Sequence, residues 1–202
     1  SFPWRLTHDP YAILIAEVML HRTQVKQVVP VYEQFMDICP TLPSFLEADF
    51  GRVRQVVASL GLSWRIDLIE HMAIEVDRRY ERMIPQEKDE LLSLSGVSEY
   101  IASAVRCFAW NMPDALLDTN TVRVTGRVFD LPTKDSSRRN SVFRKLIQQL
   151  VDPAQPRDFN YALLDLAHLV CYKKIKPDCP HCPVNRFCWY GQSQLSESSE
   201  VS

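Results

Sequence analysis

Apolar residues recur at three- and four-residue intervals along most of this 202-residue chain, and no two-residue alternation longer than about four positions competes with them. The period predicts helices over 10–22, 25–39, 44–48, 49–59, 64–80, 87–94, 99–110, 121–129, 136–151 and 158–170. Asp9 can cap the first of these, with Pro10 at its first position. Proline marks segment edges at Pro10, Pro30, Pro43, Pro85, Pro113, Pro153 and Pro177. The chain is therefore expected to be all-α, without internal repeats. Its last residues, 191–202, are polar and serine-rich and are expected to be disordered.

That length can bury a good core, as one large domain or two small ones. No run of about 18 apolar residues is present, so no membrane span is expected. The opening Ser-Phe-Pro-Trp-Arg lacks a charged-then-apolar leader pattern. Net charge is −2, which does not advertise nucleic-acid binding for the whole molecule. Local basic groups exist all the same: Lys173, Lys174 and Lys176 lie together, as a solvated face or as a phosphate contact.

Six cysteines divide into two isolated ones, Cys39 and Cys107, and a cluster. Cys171, Cys179, Cys182 and Cys188 run C-x7-C-x2-C-x5-C, close enough to hold one compact metal centre. Soft thiolates favour an iron–sulfur cluster or zinc, and the split fits metal ligands plus buried thiols in a reducing compartment better than three disulfides.

Two acids stand out. Glu17 lies in a helix that is apolar nearly all round and hence buried nearly all round. Burial would raise its pKa and let it hold a proton near neutrality, unless it is paired with Arg or His in the core. Asp118 ends a short apolar run and opens a helix, whose positive end favours the ionised form. Alone it reads as a helix cap. Beside Glu17 it suggests one neutral and one charged carboxyl group, the division of labour that cleaves a glycosidic bond. Between them, Ser95-Gly96-Val97-Ser98 turns the chain from one helix into the next. Backbone N–H groups at such a turn can hold a phosphate without reading sequence.

Taken together, these residues resemble the helix-hairpin-helix DNA glycosylases of the endonuclease III superfamily, over nearly the whole chain from Pro3 to about Tyr190. The motifs are Glu17-Val-Met-Leu-His-Arg-Thr-Gln24, Leu94-Ser-Gly-Val-Ser-Glu-Tyr100, Asp118-Thr-Asn-Thr-Val-Arg123 and the four cysteines. The resemblance implies a six-helix barrel over 6–112 and a [4Fe–4S] cluster domain over 113–190 plus 1–5, with the active site in the cleft between them. It puts the catalytic aspartate at Asp118 and the cluster ligands at Cys171, Cys179, Cys182 and Cys188.

Position 100 separates the branches of the family. Endonuclease III-like enzymes carry a lysine there that attacks the sugar, and Tyr100 has no amine for that step. Tyrosine here with glutamate at Glu17 looks like the archaeal T:G mismatch glycosylase (MIG) branch, as do Leu60-Gly-Leu-Ser63 and Arg157-Asp-Phe-Asn160. The expectation is a monofunctional base-excision enzyme that removes thymine or uracil opposite guanine. It would act as a monomer on double-stranded DNA containing a mismatch or damaged base, in the nucleoid-associated cytoplasm of a prokaryote. Glu17 would assist the leaving base, Asp118 would stabilise the sugar cation, Asn120 would support Asp118, and Tyr100 would pack against the flipped nucleotide. His21, Arg22, Gln24, Leu62, Gly96, Ser98, Lys173 and Lys174 would contact DNA, with Leu62 either a wedge or simply core.

The family hairpin usually reads L-P-G-V-G, so Ser95 and Ser98 depart from it; Ser98 would either crowd a phosphate or cap the next helix. The first cysteine gap is seven residues instead of six, and the extra residue is expected to bulge. Competing readings are an adenine glycosylase acting on A:G or A:8-oxoguanine, a catalytically silent mismatch-binding protein, and a zinc-stapled interaction module. Against the first, His21-Arg22 replaces the usual Gln-Gln, and the further C-terminal domain that reads 8-oxoguanine is not expected.

Overall fold

The computed structural model describes residues 2–61 and 64–199. Leu62, the expected wedge, lies outside them. Among the described residues there are eleven α-helices, three short 3-10 turns and no strand, so the all-α expectation holds. The chain forms two compact units, Ser1–Met112 and Pro113–Ser202.

The first unit is built on α1 (Pro10–Leu20), where every residue from Tyr11 to Met19 is buried. Asp9 caps it as expected, its carboxylate accepting the Tyr11 N–H at 3.0 Å. A helix apolar on all sides must be surrounded, and α1 packs against α2 (Val25–Ile38), α5 (Trp64–Tyr80) and α7 (Glu99–Trp110). Helices α3 (Leu42–Leu46), α4 (Phe50–Ala58) and α6 (Lys88–Leu92) complete the unit. Pro30, expected at an edge, sits inside α2. Its missing N–H frees the Lys26 carbonyl on an exposed face, where water can bond it. The first residues, expected with the second unit, also pack here: Trp4 is buried, edge-on to Tyr32 at 5.3 Å.

In the second unit α8 (Thr119–Val128) packs against α10 (Pro156–Leu169) and α11 (Trp189–Ser199), with α9 (Ser141–Leu150) alongside. Ala115, Leu117, Val122, Phe143, Ile147 and Val151 form its core. The single helix expected over 136–151 is two pieces, a 3-10 turn Asp135–Arg139 and then α9. Asn140 makes the break, since its side chain accepts the Val142 N–H at 2.8 Å and starts a fresh helix. The tail expected to be disordered instead forms α11 as far as Ser199. Its first turn is anchored: Gly191 is buried and Tyr190 lies 5.0 Å beneath the Arg127 guanidinium. Residues 200–202 lie outside the described part of the chain.

Candidate active site and thiolate centre

Within the first unit, Glu17 is 5 % exposed, in the buried stretch of α1. The helix ends at Leu20, and the chain then bends through His21, Arg22 and Thr23 before α2. Arg22 holds a left-handed φ of 62°, which a non-glycine residue adopts only where its surroundings impose it. His21, Arg22 and Gln24 are all exposed.

The hairpin joins α6 to α7. Gly96 takes φ +80°, and a Cβ there would meet the Leu68 side chain at 3.0 Å, so only glycine fits both conformation and space. Ser98 resolves the choice left by the sequence. It caps α7, its hydroxyl accepting the Ile101 N–H at 3.3 Å. Ser95, in the position of the usual proline, donates its N–H and hydroxyl to the two oxygens of Glu75 at 2.7 and 2.8 Å. A carboxylate thus restrains the turn that a proline ring would otherwise stiffen. Tyr100 is half-buried in the first turn of α7.

Within the second unit Asp118 is the N-cap of α8. Its Oδ1 accepts the N–H groups of Asn120 and Thr121, each at 2.8 Å, and the Thr121 hydroxyl accepts the Asp118 N–H at 3.0 Å. Oδ2 accepts the Asn120 side-chain amide at 2.7 Å. Three donors therefore orient both oxygens of a half-buried carboxylate at the positive end of a helix. The chain of contacts continues: Arg123 donates to the Asn120 amide oxygen at 2.9 Å, to the Cys171 carbonyl at 3.0 Å and to the Ala167 carbonyl at 2.9 Å. Burial lowers the Arg123 pKa, opposed by attraction to Cys171.

One turn further along α8, Arg127 donates to the Cys171 sulfur at 3.1 Å and to the Tyr172 carbonyl at 2.8 Å. Cys171, Cys179, Cys182 and Cys188 line one small cavity of about 20 Å³. All six cysteines are free thiols, so no disulfide competes for them. The Gly191 N–H points at the Cys188 sulfur, 3.4 Å away. Burial, and then the neighbouring sulfurs, push the Cys179 thiol up; burial does the same to Cys182. Among the described residues, no three His, Cys, Asp or Glu side chains are arranged to hold a single metal ion. Lys173 and Lys174 are exposed between the first two of these cysteines.

Arg127 and Glu75 do not figure in the sequence reading, and Arg123 enters it only as the end of the Asp118–Arg123 motif. The two arginines fall three and seven residues after Asn120, on one face of α8, and that spacing was the available signal. Glu75 had none, because its partner Ser95 lies 20 residues on.

Residues 15–150 match the HhH-GPD superfamily of base excision DNA repair proteins. A thymine-DNA glycosylase of Aeropyrum pernix is 37% identical over 94% of this chain and 86% of its own length. A thymine/uracil-DNA glycosylase of Pyrobaculum aerophilum is 37% identical over 96% and 86%. Adenine DNA glycosylases match as well, that of Schizosaccharomyces pombe at 32% identity over 40% of its length. Among solved structures, a thermostable thymine-DNA glycosylase superposes with a TM-score of 0.85 at 31% identity, covering 96% of this chain and 89% of that one.

Proposed function

As the chain belongs to the HhH-GPD superfamily of base excision DNA repair proteins, we propose that it is a monofunctional DNA glycosylase that hydrolyses the N-glycosidic bond of thymine or uracil mispaired with guanine. The observation that carries the reading is Asp118: a carboxylate on a helix N-terminus, with both oxygens aimed by neighbouring donors. The thymine and thymine/uracil glycosylases at 37% identity support the choice of base.

A mispaired pyrimidine is cheaper to extrude than a properly paired one. His21 or Arg22 fills the space it leaves, and Gln24 contacts the strand. As the bond to the base lengthens, positive charge develops at C1′ and on the ring oxygen of the sugar. Asp118 stabilises that charge and orients the attacking water. Glu17, in a dry helix, protonates or hydrogen-bonds the departing pyrimidine. Tyr100 packs against the flipped nucleotide and supplies no amine, so hydrolysis is not followed by strand cleavage through a Schiff base. The Gly96–Ser98 turn holds a phosphate through its backbone, and Lys173 and Lys174 meet others. In this reading the protein acts as a monomer.

Cys171, Cys179, Cys182 and Cys188 would hold a [4Fe–4S] cluster. The four soft donors fit it: they share a cavity, their mutual repulsion calls for a cationic core, and Arg127 and Gly191 supply the N–H···S bonds that such sulfurs accept. These cysteines come from the loop after α10 and from the residue before α11, so a bound cluster would supply a structural cross-link between them.

The test is base release from T:G, U:G, A:G and A:8-oxoguanine duplexes. Release from the first two supports the proposal. Release from the adenine duplexes alone would assign the adenine activity instead.

A further inference from the structure

Arg65 is an anomaly of charge. It stands in the first turn of α5 with no exposed surface. One nitrogen, Nη2, donates to the His21 carbonyl and to the Thr23 hydroxyl, the latter at 2.9 Å. Nε and Nη1 are buried and, among the described residues, have no hydrogen-bond partner. The guanidinium is therefore desolvated, only partly satisfied and, among the described residues, paired with no carboxylate, and burial lowers its pKa.

Such an arrangement costs stability. A buried charge without a counter-charge is a large unfavourable contribution, and well-packed apolar replacements of similar size are often neutral or better. The fold alone gives no reason to keep an arginine there, so the reason lies in what it holds. Its two acceptors, His21 and Thr23, flank Arg22, the residue forced to φ 62°. One cation thus pins both shoulders of a left-handed bend that would otherwise relax. The Thr23 N–H, bonded to the Leu20 carbonyl at 3.1 Å, closes the bend from the other side. Trp64 adds a floor: it is 40 % exposed, edge-on to His21 at a ring separation of 6.5 Å, and within 5.7 Å of the Arg65 guanidinium. Behind the bend is a rigid support; in front are two exposed side chains with hydrogen-bonding and cationic character.

We propose that Arg65 is a positioning residue for mismatch recognition: it holds the strained His21–Thr23 bend so that His21 and Arg22 meet the duplex in a preset orientation. The inference rests on the reading above that this bend faces DNA. Ordering is done in the free protein, so the bend is not reorganised on binding and its contacts go to the mismatch. Without Arg65 the same side chains reach DNA from a mobile segment, and the distinction between mispaired and paired duplex is lost.

The experiment compares wild type, Arg65→Met, Thr23→Val and the double variant, reading the thermal midpoint and the affinity for T:G and T:A duplexes of the same sequence. Methionine keeps length and removes the charge. The expected result is a midpoint no lower than wild type with a preference for T:G over T:A reduced about tenfold or more, which a purely structural role would not move without unfolding. Thr23→Val reduces the preference in the same direction, and adding it to Arg65→Met brings no further loss, because both remove one interaction. A lowered midpoint with an unchanged preference, a preference equal to wild type in a stable Arg65→Met, or losses that multiply in the double variant would each overturn the proposal. Since the readout is binding, it is independent of base release. A wild type that discriminates T:G but releases no base would overturn the glycosylase reading and leave this inference standing.

Discussion

Arg123 and Asn120 are joined by a 2.9 Å hydrogen bond along one face of α8, and the same Asn120 amide donates to Asp118 at 2.7 Å. The orientation of the carboxylate is thereby tied, through one arginine, to the carbonyls of Ala167 and Cys171. A group that must face a developing charge gains from being fixed before the reaction begins.

Arg123→Met should therefore impair catalysis without touching substrate. The Asn120 amide is then free to rotate, and Asp118 Oδ2 loses a fixed donor. Single-turnover base release is expected to fall by roughly 10²-fold, the usual effect of a small misplacement, with DNA affinity nearly unchanged. An unchanged rate would show that the two N–H bonds to Oδ1 suffice.

Glu17→Gln tests the second carboxyl group. The amide matches it in size and can still donate a hydrogen bond, but it cannot transfer a proton to the leaving pyrimidine. Excision should slow by roughly 10²–10⁴-fold. A variant that loses stability and keeps its specific activity would make Glu17 a core ion-pair member instead.

Much of this was legible in the chain, for identifiable reasons. Helix α7 runs over the expected residues, Glu99–Trp110, because both ends are chemically marked: Ser98 caps its start, and Asn111 takes the left-handed φ of 54° at its close. The Asp9 cap of α1 was readable in the same way. The break at Asn140 was not, because the apolar period runs through it and only the side-chain bond to Val142 reveals a new helix start. Helix α11 was missed because composition argues for disorder, whereas its first turn is anchored by Arg127, sixty-odd positions earlier in the chain. Asp118 and Asn120 were named from a local motif. Arg65 and Glu75 act through partners distant in sequence, where periodicity carries no information.

Tyr100→Lys tests what position 100 faces. With an amine there, a glycosylase of this fold should acquire some strand nicking through a Schiff base, and borohydride should trap the adduct. Failure to trap it in a variant that still releases base would place position 100 away from C1′.

Cys182→Ser tests the metal centre. Wild-type protein is expected to be brown, with broad violet absorbance and about four irons and four inorganic sulfides per chain. The serine variant should lose colour and iron and unfold at a lower temperature. A colourless wild type holding one zinc per chain would replace the cluster with a zinc staple.

If Asp118 is the catalytic carboxylate, Asp118→Asn should stop the reaction and spare the fold. Asparagine is as good an N-cap as aspartate, so α8 and the fold should survive, and the variant should bind a T:G duplex about as tightly as wild type. In single-turnover assays it should release essentially no thymine. Near-wild-type release from a folded, DNA-binding Asp118→Asn would contradict the account.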